Sequence, residues 1–147
     1  MAKFNFGNTS LARMQGVDPD LQKVAFRALS ISSRRKNGID FSIPAYGGRR
    51  TAEEQNELFK KGVSKADGFN YKSNHQDGFA LDVIPYVTVE GKKGNRIYTD
   101  DITEAERTLY FHAVAVCMLQ AASELNIKIQ WGGSWTWCDM PHYQKVK

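Results

Sequence analysis

The segment that most restricts this chain is GFALDVIPY, residues 78 to 86, because it sets a carboxylate inside an apolar strand. Side chains alternate along a strand, so Ala80 and Asp82 share one face while Phe79 and Leu81 take the other, core-facing one. Val83 and Ile84 follow directly. An unpaired buried carboxylate is costly. Asp82 must therefore lie at the sheet surface or meet a partner elsewhere in the fold.

Just upstream the chain reads SNHQDG, residues 73 to 78, and places one of its three histidines there. Gly78 permits the backbone to turn, so His75 can come back over the strand and meet Asp82. By itself this is weak, since a histidine and an aspartate at this spacing also describe a surface loop running into a core strand.

The C-terminal segment WGGSWTWCDMPHYQ, residues 131 to 144, adds what the first lacks: it holds all three tryptophans of the protein together with Asp139 and His142. An aromatic core plug would account for tryptophans, not for the acid and the imidazole. Pro141 has a fixed φ and biases Met140 toward an extended form, which predicts a rigid spacer between Asp139 and His142. A catalytic zinc site has three protein ligands and a position left for water. His75, Asp82 and His142 supply such a His₂-carboxylate set, and Asp139 is left to act as a general base. His112 falls in an apolar helical run and reads as structural or exposed.

Around these segments the periodicity is mixed. Residues 17 to 32 have helical spacing at Leu21, Val24, Ala25 and Leu29, with Asp18 as cap and proline just inside. Residues 39 to 45 alternate Ile39, Phe41 and Ile43 as a half-buried strand. Thr51 with Glu54, and Thr103 with Glu106, are capping boxes that open helices over 51–62 and 103–126. In the long helix, Leu109, Ala113, Val116 and Gln120 form one row, with Phe111 and Ala115 near another. Residues 63 to 77 read as a loop, 88 to 100 as a hairpin or loop excursion, 127 to 133 as a strand, and the chain ends in a last short strand. The order predicts an α+β fold: one domain over 1–147, helices packed on a small, largely antiparallel sheet, with the zinc site in a cleft.

A length of 147 residues is sufficient to bury a core without staples. The two cysteines, Cys117 and Cys138, make no disulfide framework and are expected as free thiols. The apolar stretch around residues 113 to 122 is too short, and too interrupted by Gln120, to span a bilayer. The first ten residues carry no apolar signal core, so synthesis in the cytoplasm is expected. A net charge of +4 and a pI near 9.1 suit an anionic partner such as nucleic acid, acidic lipid or cell-wall polymer, but the basic residues are scattered.

Three motifs, in order, resemble one family. SNHQDGFALDV is similar to the S-x-H-x-x-G-x-A-x-D motif of the zinc peptidoglycan peptidases, a group that includes D-Ala-D-Ala carboxypeptidases and dipeptidases and the L-alanyl-D-glutamate endopeptidases of phage endolysins. WGGSWTWCDMPHYQ resembles the W-G-G-x-W…D-x-P-H-[FY] segment of the same group. GGRRTAEEQNELF, residues 47 to 59, resembles its G-x-R-[ST]-x-x-x-Q-x-x-L-[FY] segment, and residues 10 to 29 look like the N-terminal part of the phage branch. The resemblance covers about residues 10 to 144.

The resemblance implies one catalytic zinc held by His75, Asp82 and His142, with Asp139 as the acid/base. It implies that Arg50 contacts a substrate carboxylate or the developing oxyanion, that Ser73 contacts substrate, and that Gln55 supports the site. Arg50 also stands at the N-terminal end of its helix, where the macrodipole disfavours a cation, so a role beyond solvation is expected of it. Asp139 replaces the glutamate of the carboxypeptidase branch and is one methylene shorter. Cys138 is expected to pack away from the zinc, since a thiolate ligand would close the site, and Trp135 and Trp137 either wall the cleft or fill core.

The expected activity is hydrolysis of a peptide bond in the peptidoglycan stem, L-Ala–D-Glu, by a phage endolysin that lyses bacteria. The expected partner is the stem peptide, with no nucleic acid and no stable membrane insertion. The protein is expected to be a monomer, made in the host cytoplasm and acting on the wall once the membrane is breached. Alternatives are a D-Ala-D-Ala carboxypeptidase or dipeptidase, a non-catalytic wall-binding module, and a metal nuclease. The last lacks a clustered basic face.

Overall fold

The computed structural model describes residues 4–146. Helices α1 (Asn8–Arg13), α2 (Pro19–Arg34), α3 (Ala52–Lys60) and α4 (Glu104–Leu125) alternate with short strands β1 (Phe41–Ser42), β2 (Ala80–Asp82), β3 (Ile84–Pro85), β4 (Val87–Val89), β5 (Lys92–Gly94), β6 (Ile129–Trp131) and β7 (His142–Lys145). All the strand pairs are antiparallel: β2-β7-β6 form one sheet, β1 pairs with β3, and β4 pairs with β5. This is the α+β arrangement that the sequence order predicts.

The helices start where their caps dictate. Asp18 accepts from the Asp20 N–H at 2.8 Å with Pro19 behind it, and both predicted capping boxes are formed, Thr51 with Glu54 and Thr103 with Glu106. α4 ends at Asn126, which takes the left-handed conformation. α1 has no capping side chain and no acid in its first turn, so the sequence carries no start signal for it.

α2 and α4 pack together over the sheet. Leu21, Val24, Ala25, Ala28 and Leu29 from α2 meet Val114, Ala115, Cys117, Met118 and Ala121 from α4, with Leu81, Val83 and Tyr143 beneath. Burying each large apolar side chain stabilises the fold by about 1.5–3 kcal/mol. A smaller cluster of Ile84, Val87, Val89, Ile97 and Ile102 closes over Phe111 and anchors the 88–100 excursion, where β4 and β5 pair as a hairpin, the first of the two forms the sequence allows. Of the two α4 rows, the one with Phe111 and Ala115 is buried; Leu109 is 69% exposed and Val116 49%.

Two local expectations change. Residues 78 to 86 are not one strand: β2 pairs with β7, whereas β3 pairs with β1, and between them the Val83 N–H donates to Pro141 O at 2.9 Å. The loop before β2 ends in a 3₁₀ turn over Asn74–Asp77. Gly78 closes that turn with φ +78°, and a Cβ there would sit 2.4 Å from Gly16 O, so both conformation and space require glycine.

Candidate active site

Two ligand candidates are cross-strand partners. In the β2–β7 register Asp82 stands directly opposite His142, which puts both side chains on one face of the sheet. His75 arrives from the 3₁₀ turn. Ser73 caps that turn by accepting from the His75 N–H, while the Gln76 side chain accepts from the Ser73 N–H.

The three side chains converge. His75 Nε2 lies 3.2 Å from Asp82 Oδ1 and 3.2 Å from His142 Nδ1, and His142 Nδ1 lies 3.4 Å from Asp82 Oδ1. Each imidazole is engaged from behind: His75 Nδ1 is 2.9 Å from Gly48 O, and His142 Nε2 is 2.9 Å from Gln144 Oε1. A carbonyl oxygen can only accept, so in the neutral rings the rear nitrogens carry the protons and the converging nitrogens present lone pairs. Asp82 Oδ1 is buried and receives no hydrogen bond. Three acceptors pointed at one another, one of them an orphaned carboxylate oxygen, form a group able to hold a metal ion.

The other carboxylate oxygen is taken. Arg50 Nη2 lies 3.1 Å from Asp82 Oδ2, its Nη1 donates to Gln55 Oε1 at 2.9 Å, and its Nε donates to Tyr46 O at 2.7 Å. Gln55 is fully buried and passes the connection on, donating to Ser64 Oγ and Ala66 O, so the 63–67 loop is tied from below to the ligand carboxylate. Burial works against ionisation of Asp82, but the facing imidazoles more than offset it and hold the carboxyl well below its ordinary range. His142 is raised: burial opposes its charged form, and the neighbouring Asp82 outweighs that.

Asp139 sits on the rim. It is not joined to His142 by an extended spacer; the intervening Met140-Pro141 forms a turn in which the His142 N–H donates to Asp139 O at 3.1 Å. Trp131 Nε1 ties the turn down by donating to Met140 O at 2.7 Å. This brings Asp139 Oδ2 to 4.0 Å from His142 Nδ1, which offsets the shorter side chain. Partial burial and the charge of Asp82 push the Asp139 carboxyl above its ordinary value. Gly132 makes the approach possible, since a Cβ there would lie 2.4 Å from Asp139 O.

His75, Asp82, His142, Arg50 and Asp139 open into one cleft of about 450 Å³, lined as well by Tyr46, Leu58, Lys65, Ser73, Trp135 and Trp137. Trp135 also packs on the His142 ring at 5.2 Å, and Lys65 Nζ sits 4.8 Å from the centre of the Trp137 ring.

Across residues 1–145 the chain matches the family model described as phage L-alanyl-D-glutamate peptidase. It is 35% identical over 132 residues to the L-alanyl-D-glutamate peptidase of Escherichia phage T5, a match covering 90% of this chain and 82% of that one. The chain belongs to the phage L-alanyl-D-glutamate peptidase family. The crystal structure of the Serratia marcescens L-Ala D-Glu endopeptidase ChiX superposes with a TM-score of 0.70 at 29% identity, covering 97% of this chain and 90% of that one. The chain is thus a peptidase of this family by sequence and by fold.

The structure brings together every site residue read from the sequence of this family member: His75, Asp82, His142, Asp139, Arg50 and Ser73 line the cleft, and Gln55 lies behind Arg50. Cys138 is exposed, its Sγ 3.4 Å from Gly133 O. His112 is also exposed and packs edge-on against Trp131. Sequence reasoning missed Gln144 and the carbonyls of Gly48 and Tyr46. Gln144 could have been found: two residues past His142 in a strand, it must share that histidine's face. The carbonyls leave no trace in residue type.

Proposed function

We propose that this chain is a zinc endopeptidase that hydrolyses the L-Ala–D-Glu bond of the peptidoglycan stem. The observation that carries the proposal is the convergence of His75 Nε2, His142 Nδ1 and the orphaned Asp82 Oδ1 at the floor of a cleft with Asp139 on its rim. Two nitrogens and one carboxylate suit zinc and leave a cation with net positive charge. Zinc bound there would acidify water and polarise the scissile carbonyl.

The chain's own groups do the rest. Asp139 Oδ2 takes the proton from the attacking water and returns it to the leaving amine, and its raised proton affinity suits that exchange. Arg50 holds Asp82 in place, with Nη2 at Asp82, Nη1 at Gln55 and Nε at Tyr46 O; it also lines the cleft, where an N–H not used in these bonds could meet a substrate carboxylate or the oxyanion. Ser73 shapes the turn that delivers His75 and lines the wall at which substrate would pass. The indole rings of Trp135 and Trp137 also line the cleft and would flank a bound stem peptide. The whole chain is read as one such domain, working as a monomer at the cell wall of its host; among the described residues no helix is long and apolar enough to cross a membrane.

The test is a digest of purified peptidoglycan with the zinc-loaded protein, followed by mass spectrometry of the fragments. New N-terminal D-Glu is the expected product. Release of free D-Ala in its place would reassign the enzyme to the carboxypeptidase activity.

A further inference from the structure

The two metal-facing imidazoles are backed differently. His75 rests on a backbone carbonyl, which cannot change its hydrogen-bonding sense. His142 rests on a side-chain amide, Gln144 Oε1 at 2.9 Å, and an amide turned over would present donors instead. A donor facing His142 Nε2 would force the ring proton onto Nδ1, the atom that points at Asp82 and His75. What holds the amide therefore bears on whether the pocket can take a cation.

Gln144 sits at the middle of the three-stranded sheet, opposite Ala80 on β2 and Gln130 on β6. The small Ala80 leaves room over β2, and Asn74, the residue before His75, reaches across and donates Nδ2 to Gln144 Oε1 at 2.9 Å. On the other side Gln144 Nε2 donates to Gln130 Oε1 at 3.3 Å. The Gln144 oxygen thus accepts twice, once from each half of the site, and its nitrogen has an acceptor of its own.

We infer that Gln144 is a positioning residue for the metal: it accepts from His142 Nε2, fixes the ring proton there, and so presents the Nδ1 lone pair to the pocket, while Asn74 holds the amide in that sense. The inference rests on the reading that His75, Asp82 and His142 bind a metal ion. It assigns Gln144 no contact with the reacting atoms.

The test compares the parent protein with Gln144→Met, which removes the acceptor at similar length, and Gln144→Glu, which keeps the acceptor and removes the donor. Co(II) affinity is measured by chelator competition together with the visible spectrum, and the His142 proton is located in the metal-free proteins by long-range ¹H–¹⁵N NMR at alkaline pH, where the ring carries a single proton. Gln144→Met should bind Co(II) about tenfold more weakly or worse, in the range for removal of a metal-orienting hydrogen bond. Its His142 proton should divide between the two nitrogens, with metal-free thermal unfolding unchanged. Gln144→Glu should keep the proton on Nε2 and bind close to the parent. Parent-like affinity and spectrum in Gln144→Met overturns the inference, as does Gln144→Glu binding as weakly as Gln144→Met. Should the methionine variant not fold, Gln144→Glu binding Co(II) about tenfold more weakly than the parent, or worse, overturns the inference without it. A parent protein that takes up no Co(II) is a separate result and removes the metal centre itself.

Discussion

Arg50 and Asp82 form an ion pair at 3.1 Å through the carboxylate oxygen that faces away from the imidazoles, with side chains only 10% and 17% exposed. Asp82 is thereby divided between a guanidinium and the pocket. Loss of Arg50 leaves a nearly buried carboxylate with one side unpaired and also frees Gln55 Oε1. Arg50→Ala should destabilise the metal-free protein by about 2 kcal/mol in denaturant unfolding. Arg50→Lys should recover only part of this, because one ammonium cannot reach Asp82, Gln55 and Tyr46 O as the planar fork does. Parent-like stability in Arg50→Ala would mean that the pair is worth nothing to the fold.

Asp139 should show opposite effects on activity and stability. Asp139→Asn keeps the shape, removes the base, and should lower turnover at least about 100-fold with zinc content unchanged. Its carboxyl is raised above the ordinary value by burial and by Asp82, so in the parent the ionised form burdens the folded state. That burden is full above the raised folded value and vanishes below the ordinary one, 3.8. Metal-free Asp139→Asn should therefore be more stable than the parent at neutral pH, and the gap should close as pH falls into the carboxylate range. Equal stability at neutral pH would remove the claim of a strained carboxylate.

The floor of this site was legible because its chemistry is carried by residue types that have few other reasons to occur together. Asp82 in an apolar strand needs a partner, and His75 and His142 are two of three histidines in the chain. The helices with boxes at Thr51 and Thr103 were legible for a local reason, since side chain and backbone settle the cap within one turn. α1 lacks such a cap and went unread. α4 is apolar on both faces, so its periodicity marks two rows at Leu109 and Phe111 without saying which is buried; only packing against α2 decides. The break at Val83 was invisible for the same reason, because it depends on Pro141 O, far along the chain.

Gly132 offers a test of the turn that carries the base. Its hypothetical Cβ lies 2.4 Å from Asp139 O, 3.1 Å from Asp139 Cβ and 3.2 Å from His142 Cβ, so the one methyl of alanine would push the acid and the ligand together. Gly132→Ala should cost about 1–3 kcal/mol of stability and lower turnover beyond what reduced folding explains. Thermal unfolding and the specific activity of the folded fraction separate the two effects. A variant as active as the parent would show that Asp139 tolerates displacement.

Metal removal should matter more as pH rises. In the metal-free protein the raised His142, facing Asp82, contributes stability that is complete below the ordinary imidazole value of 6.5 and is lost as pH climbs through the raised folded value. Asp82 works in the other direction: its depressed carboxyl contributes stability that is kept above the ordinary carboxylate value and lost only in strong acid. Below that raised value, then, a proton on His142 fills part of the space a cation would take. A bound metal needs that nitrogen bare and competes with the proton, so its affinity rises with pH. At free metal a thousandfold above Kd the gain is about 4 kcal/mol. Chelator should lower Tm and abolish wall digestion at pH 8, zinc should restore both, and the shift in Tm between metal-loaded and metal-free protein should be larger at pH 8 than at pH 6. A shift that is the same at both values would place the bound metal away from His142.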